Sequence, residues 1–197
     1  YTADTDPTQA VPFGVWVQAG SQITYEYQSI VLGPTGTRYV LIDTSPASPQ
    51  NVNAPLTIVG TYKTQYYLDL ETNPLGVTTP SGADWYDSGA YAPISTVQYI
   101  DIVPGSSRYR FNGWTTADMG EIVNPSSSST TILMDKAKTV TANYVVQYLV
   151  MFNQTGLDAT ALGTVLTINS DAKTYGDLPN STWIDKNSLI YYSYSSI

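Results

Sequence analysis

The chain has 197 residues, with 16 Asp or Glu against 8 Lys or Arg, a formal net charge of -8, and neither Cys nor His. Those two absences exclude a Ser-His-Asp triad, a Cys-His pair, histidine-ligated zinc, iron–sulfur centres and disulfides, and leave carboxylates, hydroxyls and lysines as the candidate catalytic groups. An acidic chain with so few cations repels phosphate backbones, so nucleic acid is not an expected partner, and no apolar run approaches the roughly 18 residues of a membrane span, so membrane insertion is not expected either.

Only 12% of the residues are charged, about half the usual share for a soluble domain. Ser, Thr, Asn, Gln and 17 Tyr stand where Lys and Glu normally do. Tyr, Val, Ile and Thr suit a pleated surface, whereas helices are written mainly with Ala, Leu, Glu and Lys. The composition predicts an all-β fold.

In chain order, residues 1–10 are polar, with Asp4, Asp6 and Pro7, and read as a flexible leader. Val11, Phe13, Val15 and Val17 then place four apolar side chains on one face of an extended segment. That pattern fits a strand donated to a neighbouring sheet, with 11–18 as the candidate donor, and equally an ordinary first strand. Trp16-Val17-Gln18-Ala19-Gly20 opens a hairpin, and the same pattern returns as Trp85-Tyr86-Asp87-Ser88-Gly89 and Trp183-Ile184-Asp185-Lys186-Asn187. Only Gly or Asn fills the fifth place, as a turn residue with positive φ requires. Pro12 to Ile30 aligns without gaps on Pro179 to Ile197 and shares Pro, Trp, Ser, Ile, Tyr, Tyr, Ser and Ile.

Two further elements recur in the same order. Arg38-Tyr39-Val40-Leu41 and Arg108-Tyr109-Arg110-Phe111 each precede a Pro/Ser/Thr-rich loop. Thr57 to Tyr62 and Thr139 to Tyr144 then form closing strands that run into Gln65-Tyr66-Tyr67-Leu68 and Gln147-Tyr148-Leu149-Val150. Short alternating runs bounded by Gly, Pro and Ser clusters predict an immunoglobulin-like or pilin-like β-sandwich. The order gives a partial module at 11–62, a complete one at 63–144 and a second partial one at 145–197. The partial modules have complementary missing strands, so either the chain is an excerpt of a longer tandem array or neighbouring subunits complete one another. In either case the Trp and most Tyr are expected in the core or in cross-strand packing.

The strings Tyr62-Lys63-Thr64-Gln65-Tyr66-Tyr67-Leu68, Trp85-Tyr86-Asp87-Ser88-Gly89, Phe111-Asn112-Gly113-Trp114, Thr141-Ala142-Asn143-Tyr144 and Phe152-Asn153-Gln154-Thr155-Gly156-Leu157 resemble the extracellular β-sandwich repeats of thermoacidophilic archaea. The composition also resembles that of subunits of archaeal threads, glycosylated filaments joined head to tail by donor strands. The resemblance implies a cell-surface structural subunit with copies of itself as partner, serving adhesion or cell-cell contact, and implies no catalytic residue. It also leaves open an accessory or stalk domain of a large S-layer protein, adhesin or extracellular acid hydrolase. A complete middle module flanked by partial ones departs from the single incomplete domain usual in a donor-strand pilin.

Candidate sites are few. Val40-Leu41-Ile42-Asp43-Thr44-Ser45 resembles the motif of pepsin-like proteases, but those enzymes need two such aspartates, and the aligned stretch of the middle module has none. Asp69 with Glu71, Asp84 with Asp87 and Asp118 with Glu121 are the remaining carboxylate pairs. None has the density of a calcium loop, so no catalytic residue, metal ligand or cofactor is assigned. Asn153-Gln154-Thr155 and Asn180-Ser181-Thr182 fit the N-glycosylation acceptor, making Asn153 and Asn180 the expected carriers of N-linked glycans, whereas Pro125 bars Asn124. An isopeptide from Lys63, Lys136 or Lys138 to an Asn is not distinguished from solvated lysines at this level. With no His and few cations, the fold is expected to persist at about pH 2 to 3.

Overall fold

The computed structural model describes residues 11–117 and 121–195. The predicted leader, 1–10, and Asp118 lie outside the described residues.

The chain is all-β, as its composition predicts, with one turn of 3-10 helix among the described residues, at Tyr175–Asp177. In order, the strands are β1 (Ser21–Ile23), β2 (Ile30–Leu32), β3 (Thr37–Ser45), β4 (Gln50–Val52), β5 (Val59–Asn73), β6 (Asp84–Asp87), β7 (Ala90–Ser95) and β8 (Tyr99–Val103). They continue as β9 (Ser107–Thr116), β10 (Ser129–Met134), β11 (Lys138–Phe152), β12 (Leu166–Ile168), β13 (Asp171–Lys173), β14 (Asn180–Asp185) and β15 (Tyr192–Tyr194). The closing strands and the Gln-Tyr strands that follow them are not separate elements. Each pair fuses into one strand of 15 residues, β5 and β11, so the backbone runs straight through both expected module borders. Nothing between Tyr62 and Gln65, or between Tyr144 and Gln147, breaks a pleat: the connecting residues are Lys63-Thr64 and Val145-Val146, with no Gly or Pro.

Two compact units share the chain. The first comprises the residues up to Asp69 together with Ala83–Ala92 and Leu133–Lys138, and the second holds Leu70–Gly82, Pro93–Ile132 and the residues from Thr139 on.

In the first unit, β3 is flanked by β2 and β5, and β5 carries β6 on its other edge, all antiparallel. β1 pairs β4 beside them. Leu68, Ala92 and Met134 are its fully buried apolar side chains. The Lys138 side chain is buried too, its Nζ donating to the Leu133 carbonyl at 2.7 Å and pairing with Asp135 at 2.7 Å. A buried ammonium needs that combination of a charge and a carbonyl to offset its desolvation.

In the second unit, β11 lies between β9 and β14, and β8 pairs the far edge of β9. Val140, Ala142 and Tyr144 alternate onto the buried face of β11, as a period of two requires, and Phe111, Trp114, Ile94 and Ile132 complete the buried set. Three side-chain hydrogen bonds tie this sheet to the loops over it. Tyr144 Oη donates to the Val97 carbonyl and meets Thr96 Oγ1, each at 2.7 Å, and Trp114 Nε1 donates to the Ser127 carbonyl at 2.9 Å. The arrangement is that of a sandwich, with aromatic pairs Phe111–Trp114 and Phe111–Tyr144 at 5.4 and 5.9 Å between centroids. A smaller core of Phe152, Leu166 and Ile168, packed with Val150, Leu178 and Ile190, sits under the sheet β13-β12-β15.

The repeat seen in sequence is a repeat in backbone. The fifth residue of each Trp pentad has positive φ: Gly20 at 79°, Gly89 at 84° and Asn187 at 68°. β3 slips register between Leu41 and Asp43, leaving Ile42 as the extra residue, and β9 slips between Phe111 and Gly113, leaving Asn112. With Arg38 aligned on Arg108, these are the same position, a bulge that recurs at the same place in both modules.

Candidate assembly site

The recurring residues meet at a junction that is built twice, once in each unit. On β5 the odd residues Gln65 and Tyr67 face away from the side on which Leu68 is buried, and Gln65 stands opposite Arg38 on β3 and Asp87 on β6. The three side chains form a row. Arg38 Nε donates to Gln65 Oε1 at 2.8 Å, and Gln65 Nε2 donates to Asp87 Oδ1 at 2.6 Å. Lys63 closes the far end on Asp87 Oδ2 at 2.9 Å. Trp85, two residues before Asp87 and therefore on the same face, lies under the Arg38 guanidinium at 4.5 Å and beside the Tyr67 ring at 5.4 Å.

The second unit repeats the Arg, Gln, Asp and Trp of this row and supplies the second donor to the Asp from a different strand. Gln147 on β11 stands opposite Arg108 on β9 and Asp185 on β14. Arg108 Nε donates to Gln147 Oε1 at 2.8 Å, Gln147 Nε2 donates to Asp185 Oδ1 at 2.8 Å, and Arg110 Nη2 pairs with Asp185 Oδ2 at 2.7 Å. Arg108 lies 4.0 Å above the Trp183 ring and 4.0 Å from the Tyr99 ring. In each junction an Arg-Tyr strand and a Gln-Tyr strand grip the Trp strand of the next hairpin. The grip combines a cation over an indole with a carboxylate held by two donors, both stronger than a neutral hydrogen bond at a half-buried site.

The carboxylates register that grip. The bond from Gln65 and then that from Lys63 hold the Asp87 carboxyl below its ordinary range. The bond from Arg110, aided by Gln147, does the same for Asp185. A carboxyl with a depressed folded pKa contributes stability above its unfolded pKa, and that contribution is lost as pH falls through the folded value. The β signal in circular dichroism is therefore expected to survive at pH 3, while the thermal midpoint falls modestly between pH 7 and pH 3. Replacing both acids, Asp87→Asn with Asp185→Asn, is expected to lower the midpoint at pH 7 and to flatten the decline. An unchanged decline in the double variant would separate the acid effect from the junctions.

The first Trp pentad has no such junction. Val11, Phe13, Val15 and Trp16 are exposed and Val17 is half-buried. Residues 11–18 belong to none of the described strands. The residues after them are seated: Gly20 N–H donates to the Val52 carbonyl at 2.8 Å, and Tyr27 Oη donates to the Ile58 carbonyl at 3.1 Å. In the C-terminal copy Trp183 and Asp185 are seated, and Tyr192 and Tyr194, which align on Tyr25 and Tyr27, lie on β15, paired with β12, with Tyr192 against the Phe152 ring at 5.4 Å and Tyr194 Oη donating to the Asn153 carbonyl at 3.2 Å.

Of the other predicted positions, Asp43 is exposed on β3, just past the Ile42 bulge, at the place that Gly113 holds in the second unit. Asp69 and Glu71 are exposed on one face of β5. Asp84 Oδ1 accepts the Trp85 N–H at 2.7 Å, a local contact at the start of β6, while Asp87 belongs to the junction. Among the described residues, no group of three Asp, Glu, His or Cys is placed to hold a metal ion. An open depression in the second unit is lined by Asn73, Asn112, Thr115, Ser126 and Asn143, with Asn73 Nδ2 donating to Asn143 Oδ1 at 3.2 Å. Asn153 is exposed in the loop after β11, its Oδ1 accepting the Gln154 N–H at 2.9 Å, whereas Asn180 is half-buried and paired opposite Phe152. Lys63 and Lys138 are ion-paired with Asp87 and Asp135.

The Arg-Gln-Asp row was not read from the sequence, although each member sat in a recurring string. No helix among the described residues is long and apolar enough to cross a membrane. The family model of the divergent InlB B-repeat domain matches residues 73–147, most of the stretch read as the complete module. That part of the chain is thus similar to an extracellular, surface-type β-repeat. No curated protein and no solved structure matches.

Proposed function

We propose that the chain is a structural subunit of an extracellular archaeal surface filament, assembled head to tail by strand complementation and serving adhesion or cell-cell contact. The observation that carries the reading is the state of the three Trp pentads. Two are seated in junctions that share an Arg over the indole and a Gln holding the Asp, and the third, with the same Trp-to-Gly/Asn spacing, displays Trp16 fully to solvent. A bare apolar segment next to a seated turn is what a subunit needs in order to add itself to a neighbouring sheet. The low charge of the chain and its similarity to a surface repeat agree with that setting. The reading assigns no catalysis, cofactor or metal, and takes Asn153 as the more accessible glycan acceptor.

Light scattering and electron microscopy over a range of concentrations test it. The expected result is a series of end-to-end assemblies that grow with concentration and persist on dilution, because paired strands dissociate far more slowly than surface contacts. A monodisperse monomer at every concentration would refute it.

The second reading, a stalk or accessory domain of a large S-layer protein, adhesin or acid hydrolase, draws support from the match of one module, 73–147, to a repeat domain. In that case the strand that seats Trp16 belongs to a preceding module of the same polypeptide.

A further inference from the structure

The backbone repeat supplies an internal control for the open depression of the second unit. The depression lies at the bulge of β9, where Gly113 stands opposite Asn143, and the first unit builds the same bulge with Asp43 opposite Thr61. There the extra residue is Ile42, which is 57% exposed, whereas here it is the exposed Asn112. A fold that makes this bulge with Ile, Asp and Thr does not need two amides to make it. Asn112 and Asn143 therefore answer to another requirement. The Asn143 side chain is held from several directions: its Nδ2 donates to the Thr115 hydroxyl at 2.9 Å and to the Gly113 carbonyl at 3.2 Å, and its Oδ1 accepts from Asn73 Nδ2 at 3.2 Å. Arg110 Nη2 fixes the other amide, donating to Asn112 Oδ1 at 3.1 Å. Among the described residues these bonds leave unspent Asn73 Oδ1, Asn112 Nδ2 and the hydroxyl hydrogens of Thr115 and Ser126. An acceptor and several donors thus surround one depression of about 340 Å³.

We propose that this depression binds a neutral sugar ring. Its biological use rests on the adhesive part of the functional reading, to which it gives a ligand class. None of the lining residues carries a charge, and the chain's net charge of -8 repels an anion. A cation finds no carboxylate among them. What fits fixed amides and hydroxyls is a ligand whose own groups each donate and accept, as sugar hydroxyls do. Pro125 and Val145 add an apolar margin for the C–H face of a ring. Asn73, Asn112, Thr115 and Ser126 are all exposed, so a ring settles on them without any strand having to move. The aromatic rings that line the site are not free for stacking, since Trp114 is 3% and Tyr144 6% exposed. Affinity for a single sugar of about twelve heavy atoms is therefore in the millimolar range. A filament repeats the site at every subunit, and linked weak sites on a glycan-coated surface gain roughly 10²–10⁴ in avidity.

Saturation-transfer NMR tests this, because it observes the sugar and works on monomeric or assembled chain alike. The probes are glucose, galactose, mannose and N-acetylglucosamine at millimolar concentration, with glycerol as a polyol that lacks a ring. The native full-length chain is expected to transfer saturation to at least one of the four sugars and not to glycerol. Asn112→Ile, which installs the residue of the first unit, is expected to weaken that binding about tenfold, the equivalent of one lost hydrogen bond, at an unchanged thermal midpoint. Should Asn112→Ile lower the midpoint, Thr115→Val carries the same test. No transfer to any of the four sugars, or transfer that the folded variant leaves undiminished, would overturn the proposal. Glycan released from the native chain, added as competitor, separates two sources of the same chemistry: displacement places the ligand on neighbouring copies, and none places it on foreign surface glycans. If sugar binding fails while the chain still assembles in light scattering, the site is wrong and the filament reading stands. Sugar binding by a chain that stays monomeric at all concentrations would uphold the site and remove the filament reading.

Discussion

Phe111→Ala is expected to produce the largest loss of stability of any single truncation in the second unit. The ring is 2% exposed and packs edge-on against Trp114 at 5.4 Å and Tyr144 at 5.9 Å. Truncating a buried Phe removes its transfer free energy and leaves a cavity, a combined cost of about 3–5 kcal/mol. In a chain of this size that corresponds to a fall in melting midpoint of roughly 6–20 °C. The neighbours limit relaxation, because Tyr144 is pinned at its hydroxyl by Thr96 and Val97 and Trp114 at its indole nitrogen by Ser127. Phe111→Leu keeps most of the volume and is expected to cost clearly less. A midpoint for Phe111→Ala within 2 °C of the native chain, by calorimetry under the same conditions, would place the core elsewhere.

Gly82→Ala is the second change expected to have a large effect, for a reason that lies in the backbone. Gly82 has φ of 118°, and a Cβ built on it would lie 2.2 Å from the Pro93 carbonyl oxygen and 3.2 Å from Ile94 Cα. The conformation alone costs a non-glycine residue about 1–3 kcal/mol. The clash adds a backbone shift against Ile94, which is 1% exposed, and overpacking of this kind costs about another 1–3 kcal/mol. Gly76→Ala is the control, since Gly76 also has positive φ, 77°, but nothing lies within 4 Å of its added Cβ. The expected order by denaturant midpoint is native, then Gly76→Ala, then Gly82→Ala well below both. Equal midpoints for the two variants would contradict the close approach of Gly82 to Pro93.

How far the sequence discloses this molecule depends on the range of the interaction. The turns were legible because a single residue carries them: Gly20, Gly89 and Asn187 stand at the fifth place of the pentad and all have positive φ. The all-β class was legible for a similar reason, since Tyr, Val, Ile and Thr impose it locally. The junction was not. It depends on which residue of one strand stands opposite which residue of another, and the separations differ between copies: Arg38 to Gln65 in one, Arg108 to Gln147 in the other. A constant sequence offset does not exist, so only register reveals the row.

The expectation that the tryptophans are core residues holds for Trp114, which is 3% exposed. It fails for Trp16, and Trp85 and Trp183 are half-buried under arginines on the face opposite Leu68 and Tyr144. The signal was present in the recurrence of Arg, Gln and Trp-x-Asp together, because three polar or amphipathic types that return in one order are more economically explained by one contact than by three surfaces. The first pentad has Gln18 where the other two have Asp. That departure is the one that coincides with the strand left bare.

The most direct test of the central claim, that the Trp16 strand is an unfilled copy of a junction filled twice within the chain, is amide hydrogen exchange followed site by site at low and high protein concentration. The amides of β6 and β14 should be protected at both concentrations, since their strands are paired in the free chain. The amides of Val15 to Gln18 should exchange at near-unfolded rates in chain kept dilute from the start and gain protection as it associates, with the gain abolished by Trp16→Ala. Protection at Val15 to Gln18 that is the same in dilute and associated protein, whether high or absent in both, would contradict the account.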